Sequence, residues 1–372
     1  MSESRADSHS GRAAASLLAE PETVSPFLHD RGDVVYNPLT GGQIVKTDHA
    51  YTALSRIEEG LPVRPDSAAV EHLRAMRFLI EDVEKESRSS HLLYLSIETC
   101  TVCNHRCPFC PVSIDPRERD VMPQEVFERV VGQAVAAGGK GLVVFLSNYN
   151  EPSFDPYFED RVRFLFGRGL AVSLLTNASG FTPERCELFR SLGKFRYIGV
   201  NLPTLRPERY EKLHGTKDLA RVLENMEAIQ TRELTEEAAI VLLGDEDEEH
   251  RRDTEEIRAR FEPKGWIIKP FKIRSRPDSG TYVPEPPAYK NLRGCELMGS
   301  RPFEHLHVTA TGKAVLCCQD YHEKHVIGDV KTQSVDEILG GEKLARLRRW
   351  AYGVEQAPAD FLCRRCEFAI GS

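Results

Sequence analysis

Nine of the ten cysteines fall in two groups, Cys100, Cys103, Cys107 and Cys110 and then Cys295, Cys317, Cys318, Cys363 and Cys366, while Cys186 stands alone. Thiols gathered in this way, in a chain whose first twenty residues are too polar to be expected to act as a secretion signal, point to metal binding or catalysis rather than to disulfides. The C-x3-C-x2-C run from Cys103 to Cys110 directly follows the apolar segment 92–97. A tight loop at the carboxyl end of a strand results, with sulfurs close enough to wrap a cuboidal iron-sulfur cluster. A four-cysteine zinc site using Cys100 is the other chemistry of this donor set, but two C-x2-C pairs only three residues apart are cramped for zinc. A closed ferredoxin-type cluster would need a different cysteine order. Cys186 follows the helix start Thr182-Pro183-Glu184-Arg185 and reads as a small buried apolar residue.

The elements that must position the first group alternate. Strands are expected over 92–97, 142–146, 172–175, 197–201, 239–243 and 266–269, with helices over 124–137, 156–168, 183–192, 219–232 and 248–261. Parallel neighbours require such crossovers, and each helix buries its apolar stripe on the sheet. Six βα repeats give a wound barrel or an open parallel sheet with ligands at the carboxyl ends of the strands. Before them, a hairpin around the turn Asn37-Pro38-Leu39-Thr40-Gly41-Gly42 and helices over 49–59 and 67–80 form a small unit of their own. After them, the proline-rich stretch 277–287 serves as a linker or lid, followed by short strands near 305–309 and 314–316 and a helix over 335–350.

The expected organisation is therefore a disordered tail over 1–25, a small α+β unit over 26–88, an α/β core over 89–276 and a linker with a cysteine-rich domain over 277–372. With 372 residues, 41% hydrophobic and 28% charged, the chain can bury a sizeable core. Its 49 Lys+Arg against 57 Asp+Glu leave a net charge of -8, which offers no general attraction to nucleic acid or anionic lipid. The first twenty residues are too polar for a signal peptide and no apolar run approaches a membrane span, so a cytoplasmic location is expected, without nucleic-acid or membrane partners.

The Cys103, Cys107, Cys110 motif, with Phe109 before its last cysteine, resembles the signature of the radical S-adenosylmethionine (radical SAM) superfamily. The resemblance implies a partial (β/α)6 barrel. It also implies that three cysteines hold three irons of a [4Fe-4S] cluster, while SAM chelates the fourth iron and is cleaved to a 5'-deoxyadenosyl radical after electron transfer. An external one-electron reductant such as flavodoxin or ferredoxin is then required. Ser147-Asn148-Tyr149-Asn150-Glu151-Pro152 resembles the family's Gly-Gly-Glu-Pro segment, with Asn150 in a glycine position, and Thr176-Asn177 resembles its Thr-Asn-Gly. Asn150, Glu151, Thr176, Asn177 and, at the end of the fourth strand, Asn201 are thereby implicated in SAM binding.

The second group, with Thr311-Gly312 just before Cys317, is similar to the twitch form of the SPASM extension, which holds one auxiliary [4Fe-4S] cluster through four cysteines. The implied ligands are Cys295, Cys317, Cys363 and Cys366. Cys317 and Cys318 compete for one position, since adjacent strand residues point to opposite faces. Structural zinc on the same thiolates, in a non-catalytic binding protein, is the alternative from another class. The compact twitch resembles that of aminocyclitol dehydrogenases of aminoglycoside biosynthesis, and implies hydrogen abstraction that oxidises or epimerises a small sugar or aminocyclitol. The N-terminal hairpin and helices resemble the PqqD-type winged-helix element that captures leader peptides, which implies a maturase of ribosomally made peptides instead. A unit that merely caps the barrel is equally compatible with the residues. Of the two substrate classes, the single auxiliary cluster favours the small molecule.

Overall fold

The structure, a computed structural model, describes residues 22–273 and 287–372. The anticipated tail lies outside the described residues up to position 21, and so does the proline-rich linker from 277 to 286. The chain divides into two compact units, Met1–Glu86 and Ser87–Ser372.

In the first unit β1 (Thr23–Val24) is followed by β2 (His29–Asp30), β3 (Val34–Asn37) and β4 (Gly42–Val45), and helices His49–Glu58 and Ala68–Ala75 precede β5 (Leu79–Ile80). Strands β2, β3 and β4 form an antiparallel sheet, so the expected hairpin gains a third strand. The second helix ends earlier than its apolar spacing suggests. Arg77 turns the chain with φ 57°, and Leu79 and Ile80 leave as β5 to pair antiparallel with β1. Ile44, Leu54, Val70, Leu73 and Phe78 are buried in a common core. The Asn37 side chain is buried and latches the turn to the helix end: its Nδ2 donates to the carbonyls of Met76 (2.9 Å) and Arg77 (2.8 Å), and its Oδ1 accepts from Leu39 N (3.0 Å). Gly42 packs against the end of the Met76 side chain, whose Cε lies 2.3 Å from where a Cβ would sit.

The second unit is built on a nine-stranded sheet. Its parallel part runs through β6 (Tyr94–Ile97), β7 (Val143–Phe145), β8 (Ala171–Thr176), β9 (Phe195–Asn201), β10 (Thr235–Gly244) and β11 (Ile267–Lys272), neighbouring in that order. These are the six strands expected from the alternation, joined by helices such as Gln124–Gly138, Phe158–Phe166 and Glu248–Phe261. Ile198, Val200, Ile240 and Leu242 are fully buried on the helix side, and the alternate residues Leu175, Tyr197, Asn201, Val241 and Phe271 on the other side keep solvent access. A half-barrel with a helix-covered convex side and an open concave side results.

The C-terminal segment does not stand apart from this sheet. After β12 (Leu292–Cys295), β13 (His305–Val308) pairs parallel to β6, and β14 (Lys313–Val315) and β15 (Val326–Asp329) extend the sheet antiparallel. The last strand, β16 (Ala369–Gly371), returns to pair with β12. The helix anticipated over 335–350 is two, Val335–Leu339 and Glu342–Ala351, separated at Gly340-Gly341 where two adjacent glycines weaken a continuous helix.

Candidate active site and auxiliary metal centre

The first cysteine loop leaves β6 at its carboxyl end and is held from several sides. Glu151 N donates to Val102 O (2.9 Å), Arg106 N to His214 O (2.8 Å), and Asn104 Nδ2 to Ser179 Oγ (3.0 Å). Gly215, with φ +68°, lies so close that a Cβ would meet Arg106 Cβ at 2.8 Å, so this position needs glycine for both conformation and space. Cys103, Cys107 and Cys110 are partly exposed, whereas Cys100 is buried and bridges to Val121. Burial pushes the Cys103 thiol up to about 12, Glu151 adding to it, and burial raises Cys107 further, with Cys110 and Cys103 as like charges. Neutral as free thiols, these cysteines would be held as thiolates only by a positively charged metal core, which offsets both the burial and their mutual repulsion.

Beside the loop, three of the five residues expected at the SAM pocket form one network. Glu151 Oε1 accepts from Ser153 N (3.1 Å), Ser153 Oγ (2.6 Å) and Thr176 Oγ1 (2.6 Å), and its Oε2 accepts from Asn177 N (2.7 Å). Asn177 Nδ2 in turn donates to Asn104 Oδ1 (2.9 Å). Glu151, Thr176 and Asn177 are thus brought together and tied to the cluster loop, and Asn104, Ser153 and Ser179 join them. The sequence reading did not single out those three, since an isolated Ser or Asn in a loop carries no pattern. The Glu151 carboxylate is spent on internal donors, and works as a strut between the loops after β7 and β8. Burial raises its pKa, against the four hydrogen bonds. Asn150 caps its own turn, its Oδ1 accepting from Asn148 N (2.9 Å), while Asn201 ends β9 with a buried Oδ1 that has no partner.

A second polar node joins this mouth to the C-terminal strands. Glu98, just past β6, is fully buried and ion-paired with Arg117, and its carboxyl is pushed up to about 7 because burial outweighs that cation. The Arg117 guanidinium lies 4.5 Å from the Tyr321 ring centre, Tyr321 meets Tyr149 edge to face at 4.7 Å, and Tyr149 Oη donates to Cys318 O at 2.5 Å. Tyr149, inside the segment beside Glu151, therefore also contacts the backbone of the second cysteine group.

In that second group Cys295 ends β12, Cys317 follows β14 by two residues, and Cys363 lies within a short 3-10 turn, Leu362–Arg365, that Cys366 directly follows. Cys295, Cys317, Cys363 and Cys366 line one cavity together with Arg301 and Gln319, and Cys318 is not among its walls. All four lining thiols are buried and shifted upward, mainly by burial and then by neighbouring thiols, Cys366 to about 12. Residues separated by 22, 46 and 3 positions come to one cavity as the chain pairs β12 with β16. This donor set fits a four-thiolate centre.

A half-open parallel barrel, with a three-cysteine loop at the end of its first strand and a four-cysteine cavity in its extension, defines an iron-sulfur enzyme of the radical type. Residues 97–257 match the radical SAM superfamily and residues 295–367 match SPASM, an iron-sulfur cluster-binding domain, so the chain carries a radical SAM domain followed by a SPASM domain. Its cofactors are accordingly a SAM-binding [4Fe-4S] cluster, SAM and auxiliary iron-sulfur. Among curated proteins, the GTP 3',8-cyclase of Rhizobium leguminosarum is 28% identical over 141 residues, 37% of this chain and 40% of that protein. The chain thus spans about two fifths of the length of that relative. Among solved structures, BtrN in complex with AdoMet and 2-DOIA aligns at TM-score 0.51 and 16% identity, over 74% of this chain and 93% of its own. Streptococcus suis SuiB bound to precursor peptide SuiA aligns at 0.55 and 13%, over 87% and 90%. The anSMEcpe structure with AdoMet and Cp18Cys peptide aligns at 0.53 and 13%, over 74% and 86%. At these identities the likeness is one of fold. No described helix is long and apolar enough to cross a membrane.

Proposed function

We propose that this radical SAM enzyme modifies a ribosomally made peptide, with Cys103, Cys107 and Cys110 holding the SAM-binding cluster and Cys295, Cys317, Cys363 and Cys366 the auxiliary one. When bound, the first cluster supplies the electron that cleaves SAM to the hydrogen-abstracting radical. The chain's own residues bind and shield. Glu151, Thr176 and Asn177 hold the loops after β7 and β8 against the cluster loop, and the concave side of β8 to β11 offers apolar Leu175, Val241 and Phe271 with Tyr197, Glu237 and Lys269 among them. Lys269 Nζ lies 2.8 Å from Glu237 Oε1, and 4.6 Å from the Tyr197 ring centre. Excluding water from such a surface protects a radical from side reactions.

The observation that carries the peptide reading is the first unit. The second unit is about three quarters of the chain, so an alignment over 74% can lie within it, whereas one over 87%, with the precursor-peptide complex, must reach into the first unit. The three-stranded sheet, two helices and separate core of that unit support a recognition module. The test is coexpression with short peptides encoded beside its gene, followed by mass spectrometry. Loss of hydrogen from one peptide, abolished in Cys103→Ala together with 5'-deoxyadenosine formation, is expected. Unchanged peptides would refute the reading. The second reading, oxidation of a small sugar or aminocyclitol, is supported by the four-cysteine auxiliary cavity and by the fold shared with BtrN. Its mark would be turnover of an aminocyclitol such as 2-DOIA by the purified enzyme. An external reductant such as flavodoxin or ferredoxin, and a cytoplasmic setting, belong to both proposals.

A further inference from the structure

The wall of the four-cysteine cavity contains one cation, Arg301. It is 9% exposed, and among the described residues no carboxylate pairs with it. Its Nη1 lies 3.1 Å from His305 Nδ1 and 3.4 Å from His307 Nε2, and its Nη2 donates to Met298 Sδ at 3.5 Å. His305 Nε2 is 3.0 Å from Met298 O, so the ring proton sits on Nε2 and Nδ1 is left to accept from the arginine. Both imidazoles are kept neutral, by burial first and then by the Arg301 charge, His305 down to about 3. Two neutral acceptors thus fix the guanidinium head without neutralising it. The remaining donor, Nε, is buried without a partner. A buried charge and a buried unsatisfied N–H are both costly unless something compensates them.

We propose that Arg301 is a positioning and charge-compensating residue of the auxiliary cluster, its Nε–H directed at the sulfur shell and its charge stabilising the reduced form. The inference rests on the auxiliary-cluster reading of the cavity. Cysteine-ligated clusters are negatively charged and become more so on reduction, and their potentials follow net charge and hydrogen bonds to sulfur. A fixed cation at the wall therefore raises the potential of this cluster relative to a neutral wall.

The test is redox titration followed by electron paramagnetic resonance, on anaerobically reconstituted full-length protein without substrate, so that turnover is not the readout. Iron and sulfide analysis of the wild type comes first, and one cluster per chain instead of two would defeat the underlying reading before Arg301 is tested. With two clusters present, Arg301→Met is expected to lower the reduction equilibrium of the auxiliary cluster at least tenfold, about 59 mV for one electron. The SAM-binding cluster should be unmoved. An auxiliary potential within threefold of wild type in a fully loaded Arg301→Met protein overturns the proposal. If that variant loses its auxiliary iron, Arg301→Lys and Arg301→Gln decide. The charged variant is expected to lie nearer the wild type in potential or in iron retention, and equality of the two counts against Arg301.

Discussion

The cysteines divide by what surrounds them as much as by their spacing. Cys317 lines the cavity with Cys295, Cys363 and Cys366, while Cys318, next to it in sequence, is outside that lining but near enough to Cys295 and Cys366 to raise their pKa values. Cys317→Ser is accordingly expected to lose the auxiliary iron while Cys318→Ala keeps it, with iron content and the electron paramagnetic resonance spectrum as the measures. Glu98 gives a pH prediction. Its folded-state pKa, about 7, lies above the ordinary value of 4.5, so the folded protein holds the proton more tightly than the unfolded chain. The sign follows: this contribution to stability is full below about 4.5 and is lost as pH rises through about 7. Glu98→Gln should therefore flatten the decline in stability over that window, and denaturant melts of both proteins at several pH values would show it. Parallel curves for the two proteins would contradict the assignment.

At the scale of elements, the alternation of apolar segments identified all six parallel strands, because strands buried on the helix side carry that burial in their own sequence. The elements that departed from expectation are those whose state is set by partners. The segment Leu79–Ile80 continues the apolar spacing of the preceding helix, but becomes a strand because Thr23–Val24 offers an antiparallel edge. Asn37 fixes where that helix ends. Asn37→Ala removes the acceptor and donors of a buried latch, and the loss of partners for the Met76 and Arg77 carbonyls should cost about 1–3 kcal/mol. Faster amide exchange over 37–45 and 68–80 would report it, and unchanged exchange there would mean the latch contributes nothing.

For the whole molecule, the division at Glu86 and Ser87 separates recognition from chemistry in the peptide reading. Protein lacking residues 1–86 is expected to bind the iron of both clusters and to cleave SAM without substrate at a rate close to wild type, but to leave the peptide unmodified. Retained peptide modification would remove the first unit from substrate recognition. The extension, by contrast, shares a sheet with the core through β6 and β13, and Tyr149 spans from the SAM-side loop to Cys318, so these parts form one packed body.

The sequence alone determined the cluster-forming loop and the barrel behind it, because a thiol triad within eight residues and an apolar period are local quantities. Tertiary structure decided what depends on distant residues meeting. It put Cys317 on the cavity wall, turned Glu151 inward onto Thr176 and Asn177, paired Glu98 with Arg117 and set Arg301 among buried thiols. None of these follows from spacing, since the direction of a side chain and the partner it finds are fixed only when β12 meets β16 and β13 joins β6.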